Sequence, residues 1–149
     1  MEVKIETATL KLLDQLYKIE EKCFDREAFS RRQISYLLTD YNTIALAAKI
    51  DSNITGFIIV QVEVEENTEF GHVVTINVAP DFRRQKIATK MVHEIENLLK
   101  QKGISECRLE VREDNHVAIK LYQTLGYHTV GKLEKYYGSK HGLYLKKTL

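Results

Sequence analysis

The 149-residue chain has two cysteines, one proline, no long hydrophobic run and no excess of charge of either sign. Cys23 and Cys107 stand apart without a CxxC partner motif, so buried thiols in a reduced compartment are expected and a metal centre is not. The five histidines, His72, His93, His116, His128 and His141, are scattered without metal spacing such as HExxH, in keeping with no metal. Lys and Arg total 22 against 21 Asp and Glu, and the net charge of +1 supplies no field to draw nucleic acid or an acidic membrane. No basic stripe is interleaved with aromatics either, so no nucleic-acid partner is expected and any anion site must be local. No segment approaches a membrane span, and the opening MEVKIETATL lacks the apolar stretch of a secretory signal, which points to the cytoplasm and to no membrane partner. With no repeat, low-complexity tract or linker, residues 1–149 are expected to form a single domain.

What the chain does have is concentrated between Val73 and Lys102. The β-branched run VVTINVA ends at Pro80, which cannot continue a central strand. Ile87, Met91, Ile95, Leu98 and Leu99 then recur at the spacing of one helical face. A strand therefore turns sharply into a helix. Arg83, Arg84 and Lys86 fall where unpaired backbone N–H groups and the positive end of the helix dipole sit, a combination suited to phosphate oxygens. A phosphate-bearing ligand is one reading of this turn; a solvated basic helix start is the other.

Around this unit the pattern is regular. Val3 and Ile5 alternate with polar residues as a short strand, and Thr7 or Thr9 is placed to cap a helix running from Leu10 to about Phe24. After the loop FDREAF, Ser30 with Gln33 predicts a capping box on a helix through Leu38. TIALAAKI, ITGFIIVQVEVE and Glu69–Ala79 predict a three-strand meander, with Gly56 and Gly71 as bulge markers. Ser105–Val111 reads as a strand parallel to the one before the helix. Asn115 opens a short helix closed by Gly126, and Tyr127–Leu133 and Gly142–Leu145 read as strands joined by a polar loop from Glu134 to His141. The layout is α+β with a mixed sheet.

Several residues have two readings. On SECRLEVR, Glu110 shares a face with Arg108 and Arg112, so it either pairs with one of them or has a chemical task. Tyr122 is a buried anchor or a proton donor to a leaving group. Asn115 is a helix cap or a ligand contact, and Tyr136 with Tyr137 either lines a groove or covers the sheet. His72, on the strand leading into the basic turn, is a secondary candidate.

Taken together, these residues resemble the GNAT superfamily of acetyl-CoA-dependent N-acetyltransferases, and within it the protein N-terminal acetyltransferases of the ribosomal-protein alanine type. The phosphate signature of the family (Gln or Arg, two residues, Gly, one residue, Gly or Ala) falls on Arg83-Arg84-Gln85-Lys86-Ile87-Ala88, with Lys86 in place of the glycine. LEVREDNHVAIKLYQTLGY, Leu109 to Tyr127, is similar to its second signature. IEEKCFDREAFS is similar to its substrate-side loop, with Ala28-Phe29 in place of Pro-Trp, and the tyrosine pair before the last strand recurs in that subgroup.

The resemblance implies a mostly antiparallel twisted sheet with splayed central parallel strands and about four flanking helices. It implies acetyl-CoA as co-substrate, held along Ile76 to Val78 and by Arg83, Arg84, Gln85, Lys86, Ile87, Ala88, Thr89 and Asn115, with the backbone N–H of Val78 polarising the thioester. Lys86 is expected to keep a helical backbone and add charge to the phosphate contact. Glu110 is implied as acceptor of the amine proton, Tyr122 as donor to the departing thiolate, and Phe24, Phe29, Tyr136 and Tyr137 as the substrate groove. A protein or peptide N-terminus is the implied substrate, in association with a ribosome or an auxiliary subunit. An α-amine with pKa near 8 is about 10% neutral at pH 7 and a lysine near 10.4 about 0.04%, which suits a weak base to the former. A GNAT enzyme acting on lysine or a small amine, and a non-catalytic acyl-CoA binding module, are the alternatives.

Overall fold

The computed structural model describes residues 2–24 and 27–149. Asp25 and Arg26, in the loop predicted between the first two helices, lie outside them. The strands are β1 (Val3–Thr7), β2 (Thr43–Ile50), β3 (Asn53–Glu65), β4 (Thr68–Val78), β5 (Glu106–Arg112), β6 (His128–Tyr137) and β7 (Lys140–Thr148). The helices are α1 (Leu13–Cys23), α2 (Arg31–Thr39), α3 (Ile87–Gln101) and α4 (His116–Thr124). Single 3-10 turns precede α1 at Leu10–Leu12 and follow β4 at Pro80–Phe82.

The seven strands form one sheet in the order β1-β2-β3-β4-β5-β7-β6. Every pairing is antiparallel except β4 with β5. Apolar residues fill both faces. Ile87, Met91, Val92, Ile95 and Leu99 of α3 pack with Tyr122 of α4 against Leu46, Ile58, Val60 and Leu109 on one side. Leu16 and Ile19 of α1 and Ile34 and Leu37 of α2 pack against Ala45, Ala47, Phe57 and Ile59 on the other. The five buried α3 side chains alone represent gross burial on the order of 10 kcal/mol.

Local signals act as their chemistry requires. The Ser30 hydroxyl accepts from Gln33 N–H at 3.1 Å, and the Gln33 side chain accepts from Ser30 N–H at 2.8 Å, completing the capping box. Gly103 and Gly126 end α3 and α4 at φ of 78° and 98°. Of the two thiols only Cys107 is buried, where burial pushes it up to about 11, while Cys23 at the end of α1 is half-buried, contrary to the expectation for both.

Three further expectations change. Thr9 precedes the 3-10 turn, but its hydroxyl caps nothing, because the tighter turn is satisfied by a backbone bond from Leu12 N–H to Thr9 C=O. Gly71 is no bulge; a Cβ there would lie 2.6 Å from Leu99 Cδ1, so the glycine admits α3 to the sheet. Gly56, by contrast, does mark a bulge as expected: the register on β2 shifts beside it, between Ala48 and Lys49, and it lies against the carbonyl of Asn77. The predicted loop from Glu134 to His141 is mostly strand, because β6 runs on to Tyr137 and resumes pairing at Tyr137–Lys140 across a tight turn with Gly138 at φ 68°.

Candidate active site

The parallel pair opens the site. β4 and β5 are in register only at Gly71–Cys107, His72–Arg108 and Val73–Leu109. Opposite β3, the register slips between Ile59 and Val60, so Val73 and Val74 together face Val60. This bulge bends β4 at the residue where its pairing to β5 ends. Beyond it β4 stays on β3, β5 stays on β7, and a cleft of about 370 Å³ lies between them.

The parting leaves backbone unused. Ala79 N–H bonds to Thr55 C=O at 2.8 Å. Because hydrogen-bonding direction alternates along an antiparallel strand, Asn77 and Thr75 also face β3, and the amides of Ile76 and Val78 face the opening.

Glu110 lines this cleft with its side chain 17% exposed, and it pairs with neither flanking arginine. Arg108 stacks on Phe70 and bonds Glu106, Glu65 and the Tyr144 hydroxyl. Arg112 bonds Glu27 and Asp114. The partner of Glu110 is His72, whose Nε2 lies 2.8 and 3.0 Å from its two oxygens. On the other side of the imidazole, Nδ1 lies 2.6 Å from Glu63 on β3. Burial alone lowers the affinity of His72 for a proton, but the two carboxylates outweigh it and raise its pKa above the ordinary 6.5. Neither the Glu63 contact nor the pairing of His72 with Glu110 is legible from local sequence, since the register of β4 on β5 is what brings His72 to Glu110.

Tyr122 enters from α4 and is both anchor and wall: it is 6% exposed, edge-on to Tyr127 at 5.9 Å, and lines the cleft. Burial raises its pKa, so the phenol is neutral. Its hydroxyl makes no hydrogen bond to another described residue. Phe24, Phe29, Tyr136 and Tyr137 all line the cleft, the tyrosines as an edge-on pair with centroids 4.9 Å apart.

Glu20, 1% exposed, fixes the substrate-side wall. Its carboxylate accepts from Phe29 N–H at 3.1 Å, the Thr75 hydroxyl at 2.9 Å and the Asn77 amide at 3.0 Å, tying the α1–α2 loop to β4. All three partners donate, so Glu20→Gln turns an amide N–H toward a donor and is expected to cost about 1–3 kcal/mol. Burial raises the pKa of Glu20 despite these bonds. The native state then holds the proton more tightly than the unfolded chain, so this contribution is largest below the ordinary carboxyl value and declines as pH rises through the raised one. Urea midpoints from pH 4 to 7 should therefore show the gap between wild type and Glu20→Gln narrowing as pH rises.

The basic turn departs from its expected backbone. Lys86 is left-handed, at φ 60° and ψ 25°, rather than helical, and Arg84 is left-handed too, at φ 66°. Lys86 thus adopts the conformation that the family glycine supplies freely, at roughly 1–2 kcal/mol for a side-chain-bearing residue. Lys86 offers α3 no side-chain cap, and the first turn of α3 carries no acidic residue. Left-handed residues beside an uncapped helix start make a concave set of N–H groups suited to a pyrophosphate, and the open β4 edge suits an amide-bearing arm. The residues present therefore fit acetyl-CoA.

Within the turn, Arg84, Gln85 and Lys86 are exposed, while Ile87 is buried and offers only its backbone. Arg83 turns back, its Nε 3.2 Å from Val78 C=O and Nη2 3.5 Å from Cys23 Sγ. Asn115 Oδ1 caps α4 through Ala118 N–H at 3.2 Å while the residue lines the cleft, so the capping reading holds. Replacing Lys86 by glycine removes the strain and one charge. Lys86→Gly is expected to raise folding stability by about 0.5–1 kcal/mol and to flatten the salt dependence of acetyl-CoA binding, as read by calorimetry at two ionic strengths.

Comparison with known proteins agrees with this geometry. The family model described as Acetyltransferase (GNAT) family matches residues 12–127. An N-alpha-acetyltransferase of Sulfurisphaera tokodaii is 30% identical, over 97% of this chain and 91% of its own length. The N-terminal acetyltransferase B complex catalytic subunit NAA20 of Arabidopsis thaliana is 34% identical over 100 residues, a match that spans 66% of this chain and 58% of that protein. The crystal structure of the ribosomal-protein-S18-alanine N-acetyltransferase from Escherichia coli has the same fold, with a TM-score of 0.88 at 20% identity over 99% of this chain and 94% of that one. A splayed parallel pair, a basic left-handed turn opening a helix and a family match across both belong together: the chain is a member of the GNAT family of acetyltransferases, an acyltransferase that uses acetyl-CoA.

Proposed function

We propose that this protein transfers the acetyl group of acetyl-CoA directly to the N-terminal α-amine of a protein or peptide. The observation that carries the reading is the convergence of Glu110 and Tyr122 on one cleft whose far walls are the aromatic residues Phe24, Phe29, Tyr136 and Tyr137. Such walls accept a chain end that enters with its amine first. Relatives named for N-terminal or N-alpha acetylation support the choice of amine.

Acetyl-CoA supplies an activated acyl group on a thiol leaving group. The first turn of α3 and the side chains of Arg84, Gln85, Lys86 and Thr89 would hold its phosphates, and the amides of Ile76 and Val78 its arm. The Val78 N–H, facing the opening, is placed to stabilise negative charge that develops on the carbonyl oxygen. Glu110, backed by His72, takes a proton from the substrate ammonium, directly or through one water, leaving the nitrogen lone pair free to attack. A second proton leaves the nitrogen as the amide forms, and Tyr122 delivers one to the departing thiolate. One proton goes to solvent and one leaves on sulfur. No enzyme-bound acyl group is needed if the cleft holds amine and thioester side by side. NAA20 is by name a subunit of a complex, and delivery of substrate here by an auxiliary subunit or a ribosome belongs to the same proposal.

Two conjugates test the reading: CoA joined through an acetyl bridge to the α-amine of a peptide, and to the side-chain amine of lysine in the same peptide with its α-amine blocked. The α-linked conjugate is expected to inhibit at least 100-fold more tightly. Equal inhibition, or preference for the lysine conjugate, would move the assignment to a side-chain amine.

A further inference from the structure

Glu63 has no place in the chemistry so far, yet it makes the shortest contact around the reacting groups, 2.6 Å from His72 Nδ1. It reaches there from β3, whose side chains face His72 at the point where β4 is still paired on both sides. We propose that Glu63 is a positioning residue for acetyl transfer: by accepting the Nδ1 proton it fixes the His72 ring with Nε2 on Glu110, and so makes the three side chains a single proton-accepting unit.

A lone carboxylate, with a reference pKa near 4.3, is about four units too weak to keep a proton taken from an α-ammonium near 8. With Glu63 holding the Nδ1 proton, the neutral imidazole turns the Nε2 lone pair toward the Glu110 carboxylate, an unfavourable pair of acceptors. A proton taken up by Glu110 breaks one ammonium N–H bond, leaves its electron pair on the amine nitrogen, and is passed on to Nε2, where the new N–H bond donates back to Glu110. That proton relieves the mismatch, so the unit binds it more firmly than an isolated imidazole or carboxylate. It then passes to solvent before the next turnover. Without Glu63, the ring can carry its single proton on Nε2, satisfy Glu110, and lose its reason to accept another.

The other groups facing His72 leave this role to Glu63. Arg108, opposite His72 on β5, is committed to Glu106, Glu65 and Tyr144. Gln61, opposite it on β3, is neutral and bonds Asp40. Tyr136 on β6 feels both Glu110 and Glu63, but burial and those carboxylates push its phenol up, so it stays neutral. Glu63 is 41% exposed, and its replacement leaves the packed sheet intact.

The proposal rests on the reading of Glu110 as the acceptor of the amine proton, and two readouts separate them. The first, needing no substrate, is the titration of His72 by nitrogen and carbon NMR of histidine-labelled protein. Glu63→Gln should lower the His72 midpoint by about one unit and shift its neutral tautomer from Nδ1–H to Nε2–H, while Glu63→Asp should restore most of both. The second is the acidic limb of kcat/KM, which should move down by the same amount in Glu63→Gln with its plateau reduced about 3- to 10-fold and peptide KM unchanged. A His72 midpoint and tautomer that are the same in wild type and Glu63→Gln would overturn the role of Glu63. Full activity in Glu110→Gln would instead overturn the acceptor reading, with the NMR result still deciding whether Glu63 orders His72.

Discussion

Glu110→Gln is expected to lower kcat/KM for peptide acetylation by about 10²- to 10⁴-fold, the range for loss of a general base. The substitution is nearly isosteric, and its amide can still pair with His72 Nε2, donating N–H to the ring lone pair or accepting from the protonated ring, so folding stability should change by less than about 1 kcal/mol. Acetyl-CoA affinity should be unchanged, because the residues that fit its phosphates and arm lie on β4 and the start of α3. Loss of turnover at constant cofactor affinity is the signature of a group that acts on the amine. A loss under about threefold would show that Glu110 serves only to pair with His72. Measurement across pH matters here, since an unprotonated amine supplied at high pH should recover part of the lost rate.

Tyr122→Phe is expected to lower kcat by about 10²-fold while leaving peptide KM and thermal stability nearly unchanged. The usual structural objection to a buried tyrosine does not apply. Its hydroxyl bonds no described residue, so phenylalanine keeps the packing against Tyr127 and leaves no partner unsatisfied. Tyr127→Phe is the matched contrast. That hydroxyl donates to buried Glu96 at 2.9 Å, and its loss should cost about 1–3 kcal/mol of stability without a comparable effect on kcat. Exchange of these two outcomes would reverse the roles of the two tyrosines.

What the sequence made legible is what local chemistry determines. The Ser30 and Gln33 capping box, the apolar stripe of α3 and the left-handed stops at Gly103 and Gly126 depend on residues a few positions apart, and each forms as patterned. The parallel pairing of β4 and β5 follows from the intervening helix. The splay follows from a bulge at Val73-Val74, where two β-branched residues carry none of the usual bulge signals. The insertion of β7 between β5 and β6, and the extension of β6 through the tyrosine pair, depend on pairings that neither strand specifies alone.

The candidate site divides along the same line. A long motif singled out Glu110 and Tyr122, and both line the cleft, but the partner of Glu110 was not legible. Its nearest charges in sequence are Arg108 and Arg112, and both are drawn to other carboxylates from distant segments, Glu65 and Glu27 among them. At Lys86 the residue type suggested continued helix, but the turn imposes a left-handed backbone, which no property of lysine favours.

The most direct test of the account is thiol release from acetyl-CoA with matched peptides, α-amine free or blocked, each with and without an internal lysine. Turnover confined to peptides with a free α-amine, and indifferent to lysine, is the predicted result. Turnover that follows the lysine and survives blocking of the α-amine would contradict it.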